Sequence, residues 1–295
     1  ATPVCLVPAK PGGGMDLTCK LLQAAAPALP PLRSAYLPGG IGAVAWTSIV
    51  SQRSSNPDQL VVFSGGSLLN LAQGKYGKAS PADVRWVAAV GTDYGMIAVR
   101  QDAPYRNLRQ LLEAIRQEPA KVTIGVSGTI GSQDWLKMAL LARRDGIDPK
   151  KLRFVALEGG GEAFTALLAG HVQVASGDAS EAAQHGGDNR IRVLAVLAEA
   201  RLPGPLATVP TAREQGYDVV WPIVRGVYMG PGVADAAYRD WVERFDRALA
   251  TPEFDRLRAA QGLYPFALTG AALAEYVNKT VDAYGRLSRE WDLIR

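Results

Sequence analysis

Glycines and small hydroxylated residues recur where apolar runs of this chain end, and such groups can bind an anion without a catalytic side chain. The first of these stretches is VPAKPGGGMD at residues 7–16, which follows an apolar run at residues 4–7. Glycine lets a turn take positive φ, and the free N–H groups at a helix N-terminus attract negative charge. The stretch predicts an anion cradle, although the same glycines would also make a plain tight turn.

Three further turns of this kind follow apolar runs, at residues 65–67, 127–132 and 159–161. A single glycine turn is ordinary between a strand and a helix. Four at successive strand ends are more than turn chemistry requires. The sequence therefore predicts that main-chain N–H groups and hydroxyls from several turns face a common cleft.

Charged residues near these turns offer further contacts. Arg225 lies in an apolar stretch and could bind a carboxylate with two parallel hydrogen bonds, and Lys10 could add positive charge. Asp16 lies close behind the first glycines and is expected to cap the first helix or to complement its positive end. Asp178 and Glu181 could orient a ligand hydroxyl or amine, or simply face water.

Residues that could support catalysis are few. The chain has two histidines, His171 and His185, and neither stands in a motif that presents a nucleophile to it. Cys5 and Cys19 lack the spacing of a zinc site and could either pair or stay separate buried thiols. The sequence therefore predicts a protein that is not an enzyme and that uses no metal and no cofactor.

Composition narrows the class of protein. With 295 residues, 48% hydrophobic and 20% charged, the chain is long enough for two domains, and its net charge of +4 comes from dispersed cations that do not form a nucleic-acid surface. No apolar run approaches the roughly 18 residues that span a bilayer, which predicts a soluble protein. The first residues do not resemble a secretory signal, so the chain is either cytosolic or already processed.

The order of elements predicts a doubly wound α/β fold, because strand, glycine turn and helix repeat in both halves. Residues 86–90 and 95–99 are expected to form two strands, and a first domain boundary follows them. A second boundary falls in the extended segment at residues 219–229. The remainder is predicted to be helical, at residues 234–250, 252–261 and 271–291.

Several motifs together resemble the Bug-type extracytoplasmic solute receptors of tripartite tricarboxylate transporters. They are PGGGMD at 11–16, LPGGIGA at 37–43, GGGEA at 159–163 with LLAGHV at 167–172, RVLAV at 192–196, and VPT at 209–211 with EQGY at 214–217. Their order and spacing hold over nearly the whole chain.

This resemblance implies an α/β, two-lobed periplasmic binding protein of the type II-like kind, with mixed sheets, flanking helices, a hinge and a ligand cleft between lobes. The first lobe would comprise residues 1–99 and 226–295, and the second residues 100–225. The expected ligand is a small carboxylate, citrate or another tricarboxylate first and a dicarboxylate next. The expected partners are the membrane permease subunits, with the receptor a monomer whose signal peptide has been removed. A periplasmic ligand sensor that signals to a protein partner, and an α/β enzyme, are the alternatives.

The turns and the resemblance together predict a set of ligand-binding residues. They are Pro11, Gly12, Gly13, Gly14, Met15, Asp16, Ser67, Ser127, Gly128, Thr129, Gly131, Ser132, Asp134, Gly161, Asp178 and Arg225. The chain departs from the family at Met15, where threonine is common, at Asp134, where histidine is frequent, and at Glu158, which replaces a basic residue.

Overall fold

A computed structural model describes residues 2–157, 162–185 and 189–293 of the chain. The chain forms two compact units: unit 1 contains Ala1–Thr92 and Val224–Arg295, and unit 2 contains Asp93–Ile223. The expected α/β fold is confirmed, since both units combine β-strands with flanking helices. No helix in the described ranges is both long enough and apolar enough to cross a membrane.

The elements alternate as the glycine turns predict. In chain order they are β1 Val4–Val7, α1 Gly14–Ala24, β2 Arg33–Tyr36, α2 Ala43–Ser51, β3 Gln59–Ser64, α3 Gly65–Ala72, β4 Arg85–Arg100, α4 Leu108–Gln117, β5 Thr123–Ser127, α5 Gln133–Arg144, β6 Arg153–Leu157, α6 Glu162–Leu168, β7 Val174–Asp178, α7 Ala179–Gln184, β8 Ile191–Leu197, β9 Pro222–Met229, α8 Asp235–Leu249, α9 Pro252–Ala260, β10 Leu268–Thr269 and α10 Gly270–Glu290.

Strand β4 differs from its sequence-based prediction. The two strands expected at residues 86–90 and 95–99 are one continuous strand of 16 residues. Glycine weakens the interior of a strand, but strands tolerate it where a neighbour approaches closely. A Cβ at Gly91 would lie 3.0 Å from the Arg258 side chain, and a Cβ at Gly95 would lie 3.0 Å from the Lys137 side chain. The glycines therefore make room for neighbouring side chains rather than end the strand.

The sheet of unit 1 brings several glycine turns to one edge. Strand β1 pairs in parallel with β2 on one side and with β3 on the other. Because parallel strands end at the same edge, the turns that follow β1, β2 and β3 are neighbours. Strand β9 continues the sheet antiparallel to β3, with Ser64 opposite Arg225. The short strand β10 pairs with the first half of β4.

Apolar side chains on both faces of this sheet form the core of unit 1. In β3, Leu60 to Phe63 are at most 1% exposed, as expected for a strand covered on both faces. Helices α1, α8 and α9 pack on one face of the sheet, and α8 and α9 contribute Trp241, Phe245 and Phe254 to this core. On the other face, Trp46, Trp86 and aromatic neighbours pack with α3 and α10. The three predicted C-terminal helices are confirmed.

The sheet of unit 2 is built around the second half of β4. That segment pairs antiparallel with β7 and with β8. Strand β5 lies parallel between β6 and β7. The turns after β5 and β7 therefore leave the same edge of this sheet, which places the N-terminal ends of α5 and α7 close together.

Candidate functional site

The turn between β1 and α1 exposes main-chain donors at a helix N-terminus. Gly12 has a φ of 96°, and Gly13 is the N-cap without a side-chain hydrogen bond. The first helical hydrogen bond runs from the Leu17 N–H to the Gly13 carbonyl. The N–H groups of Gly14 and Met15 precede that bond and have no partner within the helix. The turn therefore offers an anion main-chain donors and the positive end of the helix dipole.

Asp16 holds this turn in place. Its side chain is 1% exposed, accepts a hydrogen bond of 2.8 Å from the Gly12 N–H and another of 2.8 Å from the Tyr36 hydroxyl, and lies 3.5 Å from Lys20. The Gly12 hydrogen bond is the main cause that holds the pKa of Asp16 below its usual range, with burial acting in the opposite direction. Asp16 was predicted both to cap the helix and to bind ligand. Its contacts with Gly12 and Tyr36 stabilise the turn.

A disulfide closes the same segment. Cys5 of β1 and Cys19 of α1 are bonded, with their Cα atoms 5.9 Å apart. Of the two interpretations that the sequence left open, the structure shows the pair. The disulfide thus joins the strand before the turn at residues 8–14 to the helix after it, and Asp16 accepts a hydrogen bond from within the turn.

Arg225 brings positive charge to this turn. It lies on β9 and is half-buried, and a Cβ placed at Gly14 would lie 3.3 Å from its Nη2 atom. Among the residues that the structure describes, the guanidinium makes no ion pair and no side-chain hydrogen bond. A partly buried guanidinium is costly without a counter-charge, so the position favours an anion from outside the chain.

The turn after β3 is more enclosed than the sequence suggested. Ser67 is 7% exposed, and its hydroxyl accepts a hydrogen bond of 3.1 Å from the Ser64 N–H. The two serines form a capping box at the start of α3. The Ser67 hydroxyl is thus engaged in the helix cap.

In unit 2, the turn between β5 and α5 has exposed donors of its own. Gly128 and Thr129 are exposed, Ser132 is the N-cap of α5, and its hydroxyl accepts a hydrogen bond of 3.4 Å from the Trp135 N–H. Within the described part of the chain, the N–H of Thr129 has no hydrogen-bond acceptor. The turn has the same chemistry as the first glycine turn of unit 1.

A buried ion cluster anchors this second turn. Lys137 is 0% exposed, and its Nζ donates to Asp134 Oδ1 at 2.8 Å, to the Gly177 carbonyl at 2.9 Å and to Asp178 Oδ1 at 2.9 Å. The other oxygen of Asp134 accepts a hydrogen bond of 3.0 Å from the Ser127 N–H. Burial favours the neutral amine, but the attraction of both carboxylates outweighs it and raises the pKa of Lys137. Lys137 therefore stays charged and ties the ends of β5 and β7 to α5.

Acidic groups surround this cluster. Burial, together with the negative charges of Asp178 and Asp134, raises the pKa of Glu181 to about 8. Asp93 is 0% exposed and accepts hydrogen bonds from the N–H of Ser180, at 3.1 Å, and from its hydroxyl. The site region of unit 2 thus carries more negative than positive charge.

The predicted site residues differ in exposure. Exposed are Pro11, Gly12, Gly13, Gly14, Gly128 and Thr129; half-buried are Met15, Ser127, Ser132, Asp178 and Arg225; buried are Asp16, Ser67, Gly131 and Asp134. Gly161 and Glu158 lie outside the described residues. The structure brings Arg225 to the first glycine turn. It joins Asp134 to Asp178 through Lys137, and Ser127 donates its N–H to Asp134.

Sequence reasoning missed Lys137 and Tyr36. A signal for Lys137 was present, since it stands three residues after Asp134 on one helix face among apolar neighbours. Tyr36 carries no such signal, because its partner Asp16 lies on another element. No group of three or more potential metal-ligating side chains occurs in the described residues.

Comparisons with known proteins identify a family and a common fold. The sequence model of the tripartite tricarboxylate transporter family receptor matches residues 42–293. A TctC solute-binding protein from Polaromonas is 21% identical with a TM-score of 0.79, over 98% of both chains. MatC from Rhodopseudomonas palustris, with bound malate, is 22% identical with a TM-score of 0.76, over 97% of this chain and 98% of that one. A second R. palustris protein, with adipate, is 18% identical with a TM-score of 0.76, over 98% and 95%. At these identities the solved structures show a common fold.

Proposed function

Because the chain belongs to the receptor family of the tripartite tricarboxylate transporters, we propose that it is a periplasmic receptor that binds a small carboxylate. The observation that carries the proposal is Arg225, a half-buried guanidinium beside the first glycine turn with no anionic partner among the described residues. A carboxylate there would receive hydrogen bonds from the guanidinium and from the N–H groups of Gly14 and Met15.

The site binds its ligand without chemical change. Asp16 and the disulfide hold the turn rigid, which lowers the entropic cost of ordering it around an anion. Neither histidine of the chain lies in the glycine turns at residues 8–14 and 127–132, and the carboxylates nearest to these turns are engaged by Gly12, Tyr36 and Lys137. A binding protein that is not an enzyme fits this arrangement.

The relatives bear on the ligand class. Citrate or another tricarboxylate was the first expectation from the sequence and a dicarboxylate the next. Similar proteins have been solved with malate and adipate, both dicarboxylates, which favours the second class.

The receptor would deliver this ligand to the membrane permease subunits of a tripartite tricarboxylate transporter. The family assignment supports that partner and supports a periplasmic location. We propose that it works as a monomer and contacts no nucleic acid.

Isothermal titration of ligand-stripped protein tests the proposal, with acetate, malate, adipate and citrate as titrants. We expect micromolar or tighter binding of at least one acid. Arg225→Met should weaken that binding by about ten- to a hundredfold, the value of a hydrogen-bonded charge at 1.5–3 kcal/mol. Arg286→Met is the matched control, because Arg286 is exposed in the same unit and has no ion-pair partner in the described ranges.

Two results would overturn the proposal. The first is the absence of binding for every acid in the panel. The second is a variant of Arg225 that binds as tightly as the Arg286 control, since the anion would then lie elsewhere.

A further inference from the structure

Ile41 has a backbone conformation that its residue type disfavours. Its φ is 52° and its ψ is 48°, in the left-handed region, where a β-branched residue is a genuine outlier. Its neighbours Gly40 and Gly42 also have positive φ, at 58° and 92°, but glycine adopts such values without strain. The side chain of Ile41 is 64% exposed, so no burial in the fold compensates for the strain.

Packing below the turn maintains this conformation. The buried Tyr76 hydroxyl donates a hydrogen bond of 2.6 Å to the Ile41 carbonyl, and the Tyr76 ring packs on Trp46 with centroids 5.7 Å apart. A Cβ at Gly42 would lie 2.7 Å from the same hydroxyl, so this position accepts only glycine without a shift. Strain that the surrounding structure enforces is common at ligand sites.

The turn that carries Ile41 lies beside the anion site of unit 1. It follows β2, the parallel neighbour of β1, and the Leu37 N–H donates to the Val7 carbonyl at 2.9 Å. A Cβ at Gly42 would lie 3.8 Å from the Cβ of Pro8, at the start of the first glycine turn. Val44, in the first turn of α2, is 48% exposed. Exposed apolar surface thus lies on the turn that neighbours the donor turn of unit 1.

We propose that Ile41 contacts the hydrocarbon part of the bound carboxylate, so that the receptor prefers acids whose carbon chain carries no hydroxyl group. This inference rests on the proposed function and refines its ligand class. Contact with ligand removes the exposed Ile41 side chain from water, which favours a bare chain. A hydroxyl at the same place loses its water hydrogen bonds and finds no partner on an aliphatic side chain.

The expected selectivity follows from measured discrimination in apolar pockets. A pocket of this kind rejects an added hydroxyl by up to about a hundredfold. Because Ile41 covers one side of the ligand only, we expect a preference of about tenfold. Citrate, the first expectation from the sequence, would then bind less tightly than the same tricarboxylate without its hydroxyl.

Two pairs of acids that differ by one hydroxyl group test the inference by isothermal titration. They are tricarballylate against citrate, and succinate against malate. The proteins are wild type, Ile41→Asn and Val155→Asn. Asparagine tolerates the left-handed region, so Ile41→Asn should keep or raise the melting temperature of the ligand-free protein. Val155 is 38% exposed on β6 in unit 2 and controls for loss of an exposed apolar side chain.

We expect wild type and Val155→Asn to bind the acid without hydroxyl about ten times more tightly, and Ile41→Asn to bind both members of a pair equally. Equal affinities in wild type, or a preference that survives in Ile41→Asn, would overturn the inference while leaving the carboxylate receptor intact. A lower melting temperature for Ile41→Asn would refute the strain on which it stands. If no acid binds to any of the proteins, the proposed function fails first and the inference fails with it.

Discussion

Replacing Lys137 by methionine would leave two carboxylates of unit 2 without their counter-charge. The Lys137 ammonium is fully buried and makes three hydrogen bonds, to Asp134, Asp178 and the Gly177 carbonyl. Methionine has a similar length and fills most of the same volume. The variant therefore tests the charge of the cluster more than its packing.

The expected loss follows from the exposure of the two acids. The side chain of Asp134 is 10% exposed and that of Asp178 is 24% exposed, so neither can recover full hydration. Removing one partner of a buried ion pair costs about 3–5 kcal/mol, because the remaining charge stays desolvated. With Asp134→Asn added, only Asp178 would remain charged, and it can reach water. We expect the double variant to be about 2 kcal/mol more stable than Lys137→Met alone.

Equilibrium urea unfolding, followed by tryptophan fluorescence, measures these differences. Trp135 and Trp221 belong to unit 2 and report on it directly. Lys121→Met is the matched control. Lys121 pairs with Glu118 at 2.8 Å, but its side chain is 74% exposed. An exposed pair contributes at most about 1 kcal/mol, so the control should stay close to wild type.

This prediction would be refuted if the free energy of unfolding of Lys137→Met lay within about 1 kcal/mol of the wild-type value. It would also be refuted if the double variant were less stable than Lys137→Met, because an uncompensated charge on Asp134 would then not be the cause of the loss.

Three further predictions concern the disulfide, Asp16 and Glu181. Replacing Cys5 and Cys19 together by alanine opens a loop with a sequence separation of 14 and should cost roughly 3 kcal/mol in urea unfolding; no change would show that the turn is ordered without the bond. Asp16→Asn removes the charged acceptor of the Gly12 N–H, so it should lower the free energy of unfolding by about 1.5–3 kcal/mol. It should also weaken carboxylate binding in isothermal titration. Unchanged binding would show that the Asp16 carboxylate is not needed to order the turn. Because burial raises the pKa of Glu181 from 4.5 to about 8, the native state binds a proton that the unfolded state releases, so stability should fall as pH rises through this window. Stability is measured here as melting temperature, and Glu181→Gln should reduce its fall with rising pH. A pH profile parallel to that of wild type would contradict the raised pKa of Glu181.

The sequence alone determined the local structure and the family. Alternation of apolar runs, glycine turns and helical spacing predicted most strands and helices, because these signals act over a few residues. The motifs at residues 11–16 and 37–43, with those in the second half, indicated the receptor family, and the family match over residues 42–293 confirms it. The turns after β1 and β5 lie where the sequence predicted donors for an anion.

Only the tertiary structure decided which charged groups act on those turns. Arg225 and Gly14 are distant in the chain, and the pairing of β9 with β3 brings them together. Asp16 lies in the first turn of α1 as the sequence indicates, but only β2 places Tyr36 beside it. The Ile41 carbonyl accepts a hydrogen bond from Tyr76, which lies 35 positions further along the chain. Hydrogen bonds between distant elements depend on strand order and register, which spacing along the sequence does not encode.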